Sequence, residues 1–413
     1  MTELANASAY RCGARLDPVA FAQLRRSLLL DHCKWDPQVG DVSTLADFPL
    51  LMPRDTWSKL ARWAEALTVE ANAAERELAV RPELHARLGL PRRLRAALGR
   101  YRNELADKQT PRALRYDFHF TRDGWLISEC NADVPGGYAE ASAFTALTAQ
   151  HYPEAVPAGD PGAAWARAIA HAAESADVAL LSAPGYMEDH QVIHYLAKRL
   201  RELGLRAHCL QPAHIRWRDG VGFIGPERLG AVVRFYQAEW LANLPRSAQA
   251  QHYFLDAHTP VSNPGTCITI ESKRFPLTWD ALSSTRLTTW RRLLPECADP
   301  REVPWQHDDA WLLKSALCNT GDTVSARSLL PAASWAKAAR SARWFPGQWI
   351  AQKRFEPIPL VTPLGPVFPC VGVYTVNGRA CGAYARLSLS PIVDYAAIDV
   401  CLLLEDPPLA PIA

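Results

Sequence analysis

Long apolar runs are missing from this chain. No uncharged stretch approaches the roughly 20 residues that a membrane-spanning helix requires. The N-terminus, MTELANASAYRCGARLD, lacks the basic-then-apolar layout of a secretory signal. A cytoplasmic protein with no membrane contact is the expectation. An excess of one charge is missing too: 45 Lys and Arg stand against 43 Asp and Glu, for a net +2. That balance offers no electrostatic reason to expect nucleic acid as a partner. The ten cysteines contain no C-x-x-C pair, so neither a structural zinc site nor a disulfide framework is expected, and most should be small buried hydrophobes. No G-x-x-x-x-G-K-[ST], G-x-S-x-G or H-E-x-x-H occurs, and the histidines do not cluster. GVGFIG at 220–225 fits G-x-G-x-x-G, but Pro226 follows it and no helix opens there. It reads as a glycine-rich hairpin strand.

What is present is a globular composition, 48% hydrophobic and 21% charged over 413 residues, long enough for two or three sub-domains. Residues 1–110 carry helical patterns: DPVAFAQLRRSLLLDHC with Asp17 as cap, and the long Ala- and Leu-rich segment after Pro53. Residues 111–260 hold a hairpin, a glycine turn opening a helix, and a βαβ unit, VALLSA then EDHQVIHYLAKRLRELG then LRAHCLQ, with RLGAVVRFY as a further strand. Residues 261–413 read as a mainly antiparallel sheet built from TCITIES, AWLLKSA, QWIAQKRF, FPCVGVYTV, RACGAYARLS and AIDVCLLLE. Asn377-Gly378 is its strongest hairpin signal. The fold class is therefore mixed α/β (α+β).

The hairpin RYDFHFTRDGWLISECNAD carries the chemistry. Alternation aims Arg115 and Asp117, and Glu129 and Asn131, at one face. Three hard oxygen donors close together repel unless a cation sits among them, and an adjacent arginine suits phosphate oxygens. A Mg²⁺–nucleotide site is the reading; a buried structural ion-pair network is its competitor. His119, between two phenylalanines, reads as structural. Lys314 ends an apolar strand above a small-residue loop, a phosphate grip. Gln352, Lys353 and Glu356 end another strand, where alternate side chains would meet an adenine edge or ribose. Arg386, inside an apolar strand, needs an anionic partner.

Together these residues resemble the glutathionylspermidine synthase family of ATP-grasp ligases. The family pattern R-x-D…E-x-N-A-D is similar to Arg115-Tyr116-Asp117 and Glu129-Cys130-Asn131-Ala132-Asp133. Its S-N-K segment is similar to Glu271-Ser272-Lys273, and its strand lysine and loop to Lys314 through Gly321. Its closing hairpin resembles Gly382–Arg386 with Pro391-Ile392-Val393. The resemblance implies an ATP-grasp fold with a preATP-grasp-like α/β layer. It further implies ATP and Mg²⁺ as cofactors, with Asp117, Glu129 and Asn131 on the metal and Arg115 on the γ-phosphate. Lys273 and Lys314 would lie on the other phosphates, Gly321 would be part of the cofactor site, Gln352 would lie near the adenine, and Arg386 on the transferring phosphoryl group. Arg234 and Glu239 fall where the family meets its substrates.

Two departures concern other positions. The family loop's Arg-Glu is Asn319-Thr320 here, and two glutathione-contacting serines are replaced by Val134 and Gly136. The implied reaction is amide formation through an acyl phosphate between a small-molecule acid and amine, without a separate amidase domain. The acid would be a small peptide or amino acid. A polyamine as amine would call on Glu239 or Asp394, and homodimerisation stays open. The alternatives are a biosynthetic ligase with a non-peptide acid, and a nucleotide-binding protein that has lost turnover.

Overall fold

The computed structural model describes residues 9–39, 42–99, 110–254, 257–317 and 324–406. Its organising element is a sheet of nine described strands. The main path runs Arg11–Cys12, Leu50–Pro53, Ile398–Glu405, Arg379–Ser388, Gly365–Val376, Ala113–Thr121, Gly124–Asn131. Leu360–Thr362 and Ala155–Pro157 add to its sides. Every pairing is antiparallel except that of Ile398–Glu405 with Leu50–Pro53. The sheet takes strands from all three sequence segments, so divisions at 110 and 260 both run through it.

Local chemistry explains the strand order at its centre. Asn377 and Gly378 both have positive φ, 49° and 80°, as a two-residue turn with right-handed strand twist demands. They bring Val376 opposite Arg379. The 26-residue helix Arg54–Ala79 covers one face of the sheet with Leu60, Ala64, Leu67, Ala71, Ala74 and Leu78, all buried at helical spacing. Its Thr68 hydroxyl bonds the Tyr116 hydroxyl at 3.0 Å and the Thr375 hydroxyl at 2.9 Å, which ties helix to strands. Asp17 caps Pro18–Asp31 as expected, accepting from the Val19 and Ala20 amides.

A second sheet contains the parallel strands Asp177–Ser182, Arg206–Leu210, Glu227–Phe235 and Val261–Ser262. Met187–Glu202 is the crossover helix of the expected βαβ unit. GVGFIG is a hairpin strand, Val221–Ile224, antiparallel to both neighbours. A third, small sheet joins Cys297–Ala298, Trp349–Lys353 and Trp311–Ser315. It has its own core of Trp305, Trp311, Leu313, Ala342, Trp349 and Ala351, beneath helix Ala332–Trp344.

One expected strand is not there. TCITIES forms a 3₁₀ turn, Gly265–Cys267, and a short helix, Ile268–Glu271. All four helical residues are buried, so alternation of apolar and polar residues had no solvent face to report, and a short apolar run fits either structure. The packing of the long helix makes Leu67→Ala costly. Urea denaturation should show a loss of about 2–5 kcal/mol, the range for emptying a buried leucine site.

Candidate active site

The hairpin Ala113–Thr121/Gly124–Asn131 places the charged residues, and one extra residue decides how. Its turn pairs Thr121 with Gly124 and Phe118 with Ile127. Continued unchanged, that register would set Glu129 opposite Tyr116, on the face away from Asp117. A bulge at Ser128 shifts it, so Glu129 lies opposite Asp117 and Asn131 opposite Arg115. The Ser128 hydroxyl meets the His119 ring at 3.1 Å, and its carbonyl accepts from Lys314 Nζ at 3.0 Å.

Asp117 has zero exposure and four polar contacts. Arg115 Nε and Nη2 donate to its two oxygens at 2.8 and 3.1 Å. Arg386 Nη2 donates at 2.7 Å, and Asn131 Nδ2 at 3.2 Å. Burial pushes this carboxyl up, but Arg115 and Arg386 outweigh it and hold it well below the carboxylate range. Glu129 pairs with Lys273 at 3.1 Å. Burial raises its carboxyl as well, and Lys273, Lys314 and Arg386 overcome that, leaving it below its ordinary value. Four cations thus surround two carboxylates, a surplus that suits a polyanion. The competing ion-pair reading describes Asp117 well.

Close approach makes Gly372 necessary. It lies opposite Asp117 on the neighbouring strand, and a Cβ there would fall 2.9 Å from Arg115 Cδ and 3.2 Å from the Tyr384 ring. Arg115 has nowhere to retreat, since its Nη1 also donates to the Gly136 carbonyl at 3.0 Å.

Two spaces open from this cluster. A narrow cleft of about 70 Å³ lies between the large and small sheets, bounded by Asp117, Glu129, Lys314, Gln352 and Arg386. Gln352 is 3% exposed and, among the described residues, its Oε1 has no hydrogen-bond partner, an acceptor left waiting for a donor. On the other side, a cavity of about 250 Å³ is bounded by Arg115, Asn131, Val134, Gly136 and Arg386, with a wall of carboxylates that includes Asp394 and Asp399. Lys273 stands in a smaller recess beside the cleft with Glu129, Glu271 and Lys314.

The expected residues therefore divide. Arg115, Asp117, Glu129, Asn131, Lys273, Lys314, Gln352 and Arg386 come together, and Val134 and Gly136 line the larger cavity. Lys353 and Glu356 do not join them. Strand alternation sends Lys353 to the opposite face of the small sheet, over the Trp311 ring, and Glu356 is exposed beside Arg122. Arg234 is fully enclosed and spends its guanidinium on Asp133 Oδ1 and the carbonyls of Asp133, Asn263 and Tyr236. It supports the hairpin's exit from below. Glu239, pushed up to about 7 by burial and then by Asp133, bounds neither space. Gly321, with Asn319 and Thr320, lies outside the described residues.

Sequence reasoning missed three contributors. Ser128 is the bulge. Glu271 accepts the Ala132 and Asp133 amides, each at 2.6 Å, and so registers the following Lys273 against Glu129. His119 bounds the cleft; its position two residues after Asp117 on the same strand was the signal. Among the described residues, no three His, Cys, Asp or Glu side chains converge to hold a metal unaided. Asp117, Glu129 and Asn131 are nonetheless hard oxygen donors, which fits Mg²⁺ shared with phosphate oxygens.

This mixed α/β scaffold, with its cation-rich cleft between two sheets, is that of a family of ATP-dependent ligases. The chain belongs to the glutathionylspermidine synthase preATP-grasp family, whose model matches residues 56–403. Among solved structures, a glutathione synthetase-like effector from Globodera pallida shares the fold: TM-score 0.60 and 12% identity, covering 94% of this chain and 98% of that one. A Methylobacillus flagellatus protein assigned as a gamma-glutamylcysteine synthetase aligns with TM-score 0.44 and 11% identity, over 81% and 87% of the two chains. No curated protein matches the chain at a significant level.

Two outcomes follow from this geometry. Gly372→Ala should displace Arg115 and weaken ATP binding at least tenfold by calorimetry, with the far-UV circular dichroism of the native chain retained. Burial lowers the His119 pKa from 6.5 to about 4, with Lys314 and Arg386 adding to it and Asp117 opposing. A depressed folded pKa means the unfolded chain takes the proton first, so stability falls as pH drops from 6.5 through 4. Urea midpoints at pH 7 and pH 5 should differ less for His119→Gln than for the native chain.

Proposed function

We propose that the chain is an ATP-grasp carboxylate–amine ligase that forms an amide through an acyl phosphate. The observation that carries this reading is the position of Arg386, which bounds both the narrow cleft and the larger cavity. A nucleotide in the first and a carboxylate in the second would meet at one guanidinium. Lys314 and Lys273 would hold the inner phosphates, and Gln352 Oε1 would accept from the adenine amino group. The small sheet has its own core, which suits it to move as a unit over a bound nucleotide.

Mg²⁺ would be held by Glu129, Asn131 and Asp117 with the phosphates, and would supply charge neutralisation. Arg115 and Arg386 would spread the charge of the transferring phosphoryl group, and the cleft walls would exclude water. The amine would then displace phosphate from the activated carboxyl. The acid is a small peptide or amino acid. A polyamine is the candidate amine, and Asp394, unlike Glu239, stands on the substrate cavity where it would face one. Arg386→Ala should cut acid- and amine-dependent ADP release by about 10²–10³-fold, the size of losing one preorganised donor, with Arg386→Lys intermediate. Unchanged turnover in a folded Arg386→Ala protein would end the proposal.

A further inference from the structure

The small sheet turns one face to the cleft, with Leu312, Lys314 and Gln352 along it. Leu312 and Cys297 lie directly opposite Gln352 on the two neighbouring strands. Strand pairing therefore gives all three side chains the same face. Lys314, two residues after Leu312 on its strand, shares that face too. Of the two cross-strand neighbours, only Cys297 can hydrogen-bond the Gln352 amide.

Donors and acceptors are ordered from the far end of this contact. Cys297 Sγ donates to the Pro295 carbonyl at 3.3 Å, and a carbonyl can only accept. The sulfur is left as an acceptor, and Gln352 Nε2 donates to it at 3.4 Å. Burial pushes the Cys297 thiol up to about 11, so it keeps that proton at neutral pH. With its nitrogen end held, the amide has only Oε1 to offer, and no described residue donates to that atom. Reversing the thiol proton would reverse the amide, and the free end would then be a donor.

We infer that Cys297 is a positioning residue for nucleobase selection: by holding Gln352 Nε2 it makes the chain accept a purine with an amino group and reject one with a carbonyl in its place. An oxo-purine would set one oxygen against another, and the held amide could not turn to offer its nitrogen. Without the sulfur, rotation about the two-fold terminal torsion would exchange the ends of the amide at little cost. The inference rests on the nucleotide part of the ligase reading and is independent of the acid and the amine.

The test is calorimetric binding of ATP and inosine triphosphate to the full chain with Mg²⁺, without acid or amine, so that turnover plays no part. The native chain should prefer ATP by about tenfold or more, the cost of leaving a buried acceptor facing another acceptor. Cys297→Ala should bring the two affinities within about threefold of each other, since its amide is free to turn. Cys297→Ser should restore the preference, because a hydroxyl can donate to Pro295 and accept from Gln352 as the thiol does. Mere loosening of the small sheet would weaken both nucleotides alike, so an unchanged preference in Cys297→Ala overturns the inference. Serine behaving as alanine does the same. Equal binding of the two nucleotides by the native chain overturns it while leaving the ligase reading in place, and binding of neither removes both.

Discussion

A carboxylate with no solvent exposure, Asp117, holds the centre of this protein. Its charge survives burial only because Arg115 and Arg386 lie within hydrogen-bond distance. Removing one partner from such a buried pair costs about 3–5 kcal/mol, so the surrounding backbone is committed to keeping all three in place. Glycine at 372 lets Arg115 cross the strand, and the Gly136 carbonyl takes its remaining donor. The strands bearing Asp117 and Arg386 flank the one containing Gly372. The centre of the large sheet is thus shaped by one ionic cluster as much as by its apolar faces.

That cluster is a shared wall. The cleft on one side is roofed by the small sheet, whose core is separate from the rest, while the cavity on the other side is enclosed by the second sheet, its crossover helix and the segment around Lys34. A rigid centre with preorganised charges is a reasonable design for phosphoryl transfer. Deeper supports act at a distance: Arg234 anchors the hairpin's exit through Asp133, and Glu271 ties the same segment to Lys273.

Most of the strands were legible because their apolar runs were bounded by turn residues, Asn377-Gly378 above all. TCITIES was not, since complete burial removes the alternation that distinguishes strand from short helix. The site was legible at Arg115, Asp117, Glu129, Asn131, Lys314 and Arg386, where charge interrupts apolar strands. Lys353 misled for the same reason. A cation at a strand end carries no mark of which face it takes until the pairing partner is known.

The amino-acid sequence by itself determined the residue types of the site, the hairpins and the βαβ unit, since these depend on neighbours a few positions apart. Only the tertiary structure decided which charges share a face. The turn's own register would have sent Glu129 and Asn131 away from Asp117, and the bulge at Ser128 brought them back. Tertiary packing also decided that the cluster borders two spaces, because a cavity wall is assembled from segments hundreds of residues apart and has no local pattern to read.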